Sequence, residues 1–467
     1  MKFSQFAVGQ YVAFTRAFSS EDYEKFRAVS ADNNPLHWDV DYAREAGFSQ
    51  PILPLGLSIS PFSAIAGKAL PGIPSLILSS SWNAHSHVDY DQNLTWSARV
   101  SHILTEKRVL QLDLRVYDGE RRLISGKMSV QARVEEWNIP DDIAAEFSVR
   151  EPARVALVTG AEGAIGAACA ARLESAGWQV LRHARRSNTA DIVADLATEP
   201  GREQLSHAVR ERQPTLIVHA ASAATKATLT TLIATNYLAL HSLTAAALPH
   251  MLAMQSGRIV NVGSVAQLKV SGSFTDYAAA KTLSDWYLNQ VDLQHRSNGV
   301  ETTTVLCDKT NSAFSEGQQA LSGTAMEPEE VAEQLVALGL GEQPLHTRYT
   351  LSSEGLTRLT ADEAPQTVSN NSIPTAKPER VAASFSSAPL EELRTRLRTM
   401  FNQLLPDSVG KPDNLLRINT LSGWDSMTQI AIALEVEQQF GIALNGAAVA
   451  ELISFDALLQ AISNAKD

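Results

Sequence analysis

Apolar and polar positions follow three different rhythms along the chain. Between about 154 and 355, short apolar runs alternate with helical stretches. Val155-Ala156-Leu157-Val158, Leu216-Ile217-Val218, Arg258-Ile259-Val260-Asn261-Val262 and Thr304-Val305-Leu306 read as buried strands. That alternation predicts a parallel sheet covered by helices on both faces. The preceding region opens with helix-like sequence around Glu21 to Val29 and an apolar helix near Ile59 to Leu70. Strand-like runs follow at Leu76-Ile77-Leu78, Thr95 to Val100, Val109 to Val116 and Leu123 to Val134. One long central helix with later antiparallel strands is an α+β arrangement. In the last region Leu390 to Leu405 predicts a helix with Leu390, Leu393, Leu397, Met400 and Leu404 on one face. A second amphipathic stretch, with Met427, Ile430 and Leu434, follows Gly423-Trp424-Asp425-Ser426-Met427.

Two composition changes divide these rhythms. Residues 361–388 are rich in Ser, Thr, Pro, Ala and Asn and read as a flexible tether. A shorter junction runs from Trp137 to Pro152, around Ile139-Pro140-Asp141-Asp142. The expected domains are 1–137, 150–358 and 389–467, which suits a length of 467 residues.

Composition narrows the chemistry. A 44% hydrophobic content suits packed domains, and a net charge of -12 argues against nucleic acid as the main partner. The two cysteines, Cys169 and Cys307, are far apart, which points to a cytoplasmic chain without disulfides. No stretch resembles a signal peptide or a membrane span of about twenty apolar residues, so no membrane partner is expected. No metal site is expected.

In the middle region Thr159-Gly160-Ala161-Glu162-Gly163-Ala164-Ile165-Gly166 follows the first strand and opens a helix. Small residues there let the backbone approach a pyrophosphate, whose charge a helix N-terminus favours. Asn236, Ser264 and Tyr277-Ala278-Ala279-Ala280-Lys281 follow; the Tyr277 to Lys281 spacing puts both on one helix face. From about Arg154 to Gly355 the region resembles the short-chain dehydrogenase/reductases, which implies a doubly wound (Rossmann) fold. The resemblance makes Asn236, Ser264, Tyr277 and Lys281 the catalytic set, with Thr159, Gly160, Gly163, Ile165, Gly166, Ala220 and Asp195 at the cofactor. Lys281 is expected to lower the Tyr277 pKa, Ser264 to bind the substrate oxygen, and Asn236 to position a water. Arg185 and Arg186, after the second strand, favour NADPH, because a guanidinium suits its extra phosphate. Glu162 counts against it. The family's Asn-Asn-Ala-Gly is replaced by His219-Ala220-Ala221-Ser222, and its later Pro-Gly by Cys307-Asp308.

In the first region Ser30-Ala31-Asp32-Asn33-Asn34-Pro35-Leu36-His37 carries Asp-x-Asn-Pro-x-His. It resembles the MaoC-like (R)-specific enoyl-thioester hydratases of hotdog fold over about Phe3 to Val134. The resemblance makes Asp32 and His37 an acid–base pair that hydrates an enoyl thioester or, in reverse, dehydrates a 3-hydroxyacyl thioester. Where the family has His-Gly before its central helix, this chain has Pro54-Leu55, with Gly56 one place later. A non-catalytic holder of acyl groups or a dimerisation module is the alternative.

The stretch Asp425-Ser426-Met427 resembles the attachment site of acyl carrier proteins. That implies a small four-helix all-α domain, a 4'-phosphopantetheine arm on Ser426, and acidic contacts through Glu435 and Glu437. His183, Arg185 or Arg258 are candidate docking groups. The whole then resembles a reductase, a dehydratase and a carrier in series, acting on a 3-oxoacyl thioester in fatty acid or polyketide-type synthesis. A carrier scaffold serving separate enzymes is the rival. The implied partners are an acyl thioester substrate, a phosphopantetheinyl transferase, condensing enzymes from other proteins, and further copies of the chain.

Overall fold

The computed structural model describes residues 2–137, 147–187, 189–268, 274–311, 325–343, 345, 347–359, 390–405, 408, 410–413, 416, 432, 436, 440 and 454–464. The chain divides into two compact units, Met1–Ser369 and Asn370–Asp467. The expected tether and Ser426, Glu435 and Glu437 lie outside the described residues.

The first region is an antiparallel sheet in the order β1-β3-β4-β5-β2. Its strands are β1 (Tyr11–Arg16), β2 (Ser75–Ala84), β3 (Leu94–Leu104), β4 (Val109–Asp118) and β5 (Arg121–Ala132). Helix α1 (Ser20–Ser30) starts where Ser19 accepts the Asp22 amide and stops where Ala31 turns left-handed at φ 58°. The short α2 (Val40–Glu45) follows. The expected central helix is two pieces, α3 (Leu55–Ile59) and α4 (Pro61–Lys68). Pro61 has no amide to continue the ladder, so it opens α4 instead. Phe62, Ile65 and Ala66 enter a core with Trp96, Leu110 and Val130, and Trp96 Nε1 donates to the Ser58 carbonyl at 2.8 Å. Strand β1, which the hydrophobic pattern did not predict, pairs with β3. Strand β2 runs well past the predicted Leu76-Ile77-Leu78 and stands at the sheet edge.

The middle region carries a sheet in the order β13-β12-β11-β10-β9-β6-β7-β8. The strands are β6 (Val155–Thr159), β7 (Gln179–Ala184), β8 (Ile192–Val193), β9 (Leu216–His219), β10 (Gly257–Ser264), β11 (Val300–Cys307), β12 (Arg348–Ser352) and β13 (Gly355–Arg358). Only β13 pairs antiparallel, at one edge. All five residues of β6 are buried. Leu157 points into a core with α6 (Glu199–Arg212) and α8 (Ala239–Met254). Its neighbours Ala156 and Val158 point the other way, toward α5 (Ala164–Ser175) and α10 (Pro328–Leu340). The topology reverses between β6 and β9, where an open α/β sheet leaves a crevice. A short α7 (Leu229–Ile233) joins α8 through a π-helical turn, Ala234–Leu238. The combined stretch Leu229–Met254 has the length and apolarity of a membrane span, contrary to the expectation of none. Leu240, Leu243, Ala247 and Met251 bury it as a core helix.

The two regions pack as one unit rather than as beads on a junction. Ser97 Oγ on β3 donates to the Ala253 carbonyl at 2.6 Å, and buried Gln255 reaches Ser97 Oγ and the Asp113 carbonyl, each at 3.0 Å. Arg122 donates to Asn298, and Tyr117 joins the core of the doubly wound region. The ends of the predicted junction are held too: Trp137 stacks on Phe6, and Arg150 bridges to Tyr11.

In the second unit the helices α11 (Leu390–Leu404) and α12 (Phe455–Asn464) are described. Leu393, Leu397, Met400 and Phe401 of α11 share a core with Ile432, Val436, Phe440, Phe455 and Leu458. The apolar face of α11 thus runs through 393, 397, 400 and 401, close to the predicted stripe.

Candidate active sites

Two sites are built from local sequence. The first lies just after α1. Asn34 accepts the Leu36 amide at 3.1 Å, and Pro35 opens a single 3-10 turn, Pro35–His37. That turn brings His37 Nε2 to 3.8 Å from Asp32 Oδ2. His37 Nδ1 lies 2.7 Å from the Ile52 carbonyl, an acceptor only, so the ring carries its proton on Nδ1 and leaves Nε2 as a base. Asp32 Oδ1 accepts the Asn34 amide at 3.3 Å. Two tyrosines brace the backbone: Tyr23 donates to the Asp32 carbonyl at 2.9 Å and Tyr90 to the His37 carbonyl at 2.8 Å. The His37 side chain is 11% exposed and that of Asp32 34%, so the pair opens to solvent on the carboxylate side. Pro54 precedes α3, which places the Leu55 and Gly56 amides in a first helical turn, where backbone N–H groups have no intrahelical acceptor.

The second site is a cleft of about 630 Å3 at the topological switch point. Gly160, Gly163, Ile165, Gly166, Arg185, Asp195, Ala220, Ser264, Tyr277 and Lys281 line it. Gly160 sits at φ +69°, and a Cβ there would meet the Ala221 backbone at 2.9 Å. The glycine turn, with Asp195 and Arg185 beside it, is a cradle that fits a dinucleotide. Thr159 points away from the cleft: its hydroxyl bonds His219 Nδ1 at 2.9 Å and accepts the Ala221 amide at 3.2 Å. Arg186 is exposed and absent from the lining. Glu162 is tied to Ser187, which bridges the glycine turn to the loop after β7.

Tyr277 and Lys281 share the buried face of α9 (Thr275–His295). Tyr277, Ser222 and Ser264 all line the cleft. Burial pushes the Tyr277 phenol up to about 12, against the pull of Ser222 and then of Ser264. Lys281 donates to the Val262 carbonyl at 2.8 Å, and burial depresses its amine to about 8. The Lys281 Nζ stands 6.0 Å from the Tyr277 ring, and burial is the largest influence on the phenol. Asn236 sits in the π-helical turn, 1% exposed and behind the cleft wall, with Nδ2 on the Leu232 carbonyl and Oδ1 accepting from Ser222. His219 is pushed down to about 3 by burial and the nearby Lys281, so it stays neutral. Cys307, Asp308 and Lys309 close the far side of the cleft. Burial pushes the Cys307 thiol up to about 12. Two proposed docking groups are committed elsewhere. His183 is buried against the Ala194 carbonyl at 3.0 Å, and Arg258 pairs with Glu301 at 3.0 Å.

A model of MaoC-like domains matches residues 4–67, and one of short chain dehydrogenases matches residues 154–320. An (R)-specific enoyl-CoA hydratase of Aeromonas caviae is 30% identical over 125 residues, which is 27% of this chain and 93% of the relative. The chain joins a MaoC-like hotdog domain to a short-chain dehydrogenase domain. Within the latter, an uncharacterised oxidoreductase of Staphylococcus aureus (strain USA300) is 23% identical over 203 residues, 38% of this chain and 88% of the relative. The solved (R)-hydratase from A. caviae involved in PHA biosynthesis aligns on the MaoC-like domain with 29% identity and a TM-score of 0.27, covering 27% of this chain and 98% of that one.

Sequence reasoning missed Ser222, the Ile52 carbonyl, Tyr23 and Tyr90. Each acts across a distance in sequence that no local spacing encodes.

Proposed function

We propose that the chain reduces a 3-oxoacyl thioester to the 3-hydroxyacyl thioester with NADPH and dehydrates that product to the 2-enoyl thioester. One observation carries the reading: the Asp32–His37 pair and the cleft lined by Ser264, Tyr277 and Lys281 stand in one compact unit. The product of the first chemistry is the substrate of the second.

In the dehydrogenase domain the nicotinamide cofactor supplies hydride to the carbonyl carbon when bound. Gly160, Gly163, Gly166 and Asp195, which line the cleft, would hold it, and Arg185 would meet a 2'-phosphate. Ser264 donates to the carbonyl oxygen of the substrate and Tyr277 gives that oxygen its proton. In the MaoC-like domain His37 Nε2 takes the α-proton of the 3-hydroxyacyl group. The proton taken from Cα passes through the His37–Asp32 pair to the 3-hydroxyl, so the Cα–H and Cβ–O bonds break as the C=C bond and a water O–H bond form. The first-turn amides of α3 polarise the thioester carbonyl, a role of backbone groups that the replacement of His-Gly leaves in place.

The acyl chain is carried on Ser426, and residues 361–388 keep it near both sites at an effective concentration on the order of mM. Condensation comes from other proteins, a phosphopantetheinyl transferase loads the arm, and the chain self-associates in the cytoplasm.

The test is intact mass on loaded protein. Ser426 is converted with a phosphopantetheinyl transferase, charged with a 3-oxoacyl group and given NADPH. Gain of two hydrogens and then loss of water supports both steps in order. Gain of hydrogen alone reduces the chain to a reductase with a silent hotdog domain, and failure to load removes the carrier.

A further inference from the structure

Glu162 stands in the glycine turn between β6 and α5, and Arg185 in the loop that leaves β7; both line the cleft. A carboxylate and a guanidinium lining one cavity attract each other, and an arginine already paired offers less charge to a phosphate. Among the described residues no ion pair engages Arg185. Glu162 is bonded elsewhere. Ser187 donates to Glu162 Oε1, and Thr189 Oγ1 reaches the same oxygen at 3.5 Å.

The Ser187 hydroxyl has one proton and two acceptor positions. The amides of Thr189 and Ala190 both donate to Ser187 Oγ, at 2.9 and 2.8 Å, and fill the acceptor positions. Its own proton is therefore left for Glu162. The loop after β7 fixes Ser187, and Ser187 fixes the carboxylate. Glu162 is exposed, so these hydrogen bonds rather than packing hold it in place.

We propose that Ser187 is a positioning residue for cofactor choice: by holding Glu162 against the loop after β7, it keeps the carboxylate away from Arg185 and from the 2'-phosphate that distinguishes NADPH from NADH. The proposal rests on the reading of the cleft as an NADPH site. A phosphate monoester carries nearly two negative charges near neutrality, and a carboxylate repels it. Released, Glu162 has two favourable alternatives, and both work against NADPH. It pairs with Arg185, or it accepts from the uncharged ribose hydroxyls of NADH. An acid in the glycine turn and an arginine after β7 pull the choice in opposite directions, and the tether resolves the conflict in favour of Arg185.

The test is the binding of NADPH and of NADH to the full-length chain, each followed by the fluorescence of the reduced nucleotide, so that no turnover is needed. Wild type is expected to favour NADPH. Ser187→Ala weakens NADPH by about five- to tenfold and leaves NADH within about twofold, while Ser187→Thr, which keeps the hydroxyl, restores the wild-type preference. The loss relative to wild type shrinks in high salt, where the repulsion is screened. In a Glu162→Gln background Ser187→Ala changes neither affinity, since no carboxylate remains to be released. Ser187→Gly is a second hydroxyl-free variant, and retained NADH binding in either shows that the cleft is intact. A preference unmoved in the Ala and Gly variants, an equal loss for both nucleotides, or the same NADPH loss in the Glu162→Gln background overturns the role. A wild-type protein that binds NADH more tightly removes the NADPH reading, and one that binds neither removes the reductase reading, results distinct from an unmoved preference.

Discussion

His37 Nδ1 stands 2.7 Å from the carbonyl oxygen of Ile52, so a backbone acceptor fifteen residues away decides which nitrogen of the ring carries the proton and which is left free. Asp32 then faces the nitrogen left free, at 3.8 Å. Replacing His37 with Ala or Asp32 with Asn is expected to lower hydration of a crotonyl thioester by about 10²–10⁴-fold, the usual contribution of a positioned acid or base. Loss of ultraviolet enoyl absorbance measures it. The ketone-reducing activity of the same variants should stay within a few-fold of wild type, since neither side chain lines the cleft at the switch point.

Lys281 makes stability depend on pH. Its amine, ordinarily at 10.5, is held near 8 by burial, so between those values the unfolded chain binds more protons than the folded one. Stability therefore rises as pH climbs from about 8 to about 10.5, by up to about 3 kcal/mol if no other group opposes it. Lys281→Met should remove that rise, be more stable than wild type near pH 7, and lose reductase turnover. Urea unfolding at a series of pH values reads the first two expectations.

Gly160→Ala tests the cradle. The new Cβ meets the Ala221 backbone at 2.9 Å on a residue at φ +69°, so both the turn and its neighbour must shift. A stability loss of about 1–3 kcal/mol is expected. Nucleotide affinity should fall at least about tenfold, read by quenching of protein fluorescence, with hydratase activity retained.

Gln255 tests the union of the two domains. Its buried amide donates to Ser97 Oγ and to the Asp113 carbonyl, both across the boundary. Gln255→Leu leaves those acceptors without a partner, at a cost of about 1–3 kcal/mol. Thermal unfolding of the Met1–Ser369 unit, expected to be one transition in the wild type, should broaden or split as the domains lose their shared contacts.

Much of both sites was legible because it is local. Asp32, Asn34, Pro35 and His37 build one turn, and the Tyr277 to Lys281 spacing lies on one helix face whatever the rest of the fold does. The glycine turn was legible for the same reason, lying between a strand and a helix. What escaped depends on tertiary approach. Ser222 and Asn236 are fourteen residues apart on different elements, and nothing in either neighbourhood marks them as partners. Ser97 and Gln255 read as ordinary polar residues until the domains close over them. Burial, which pushes the Tyr277 phenol up and the Lys281 amine down, is a quantity the helix face alone does not give. Strand β1 escaped because its six residues run straight into the cap of α1.

The π-helical turn at Ala234–Leu238 sets the rotational phase of everything after it. A regular α-helix advances about 100° per residue, so deleting one residue there would tend to swing the following helix by about that angle. Asn236 would leave Ser222, and the end of α8 that receives Ser97 would turn away from the hotdog sheet. One widened turn thus indexes both the Asn236–Ser222 contact behind the cleft and the seam between the two domains, and neither can be retuned there without the other.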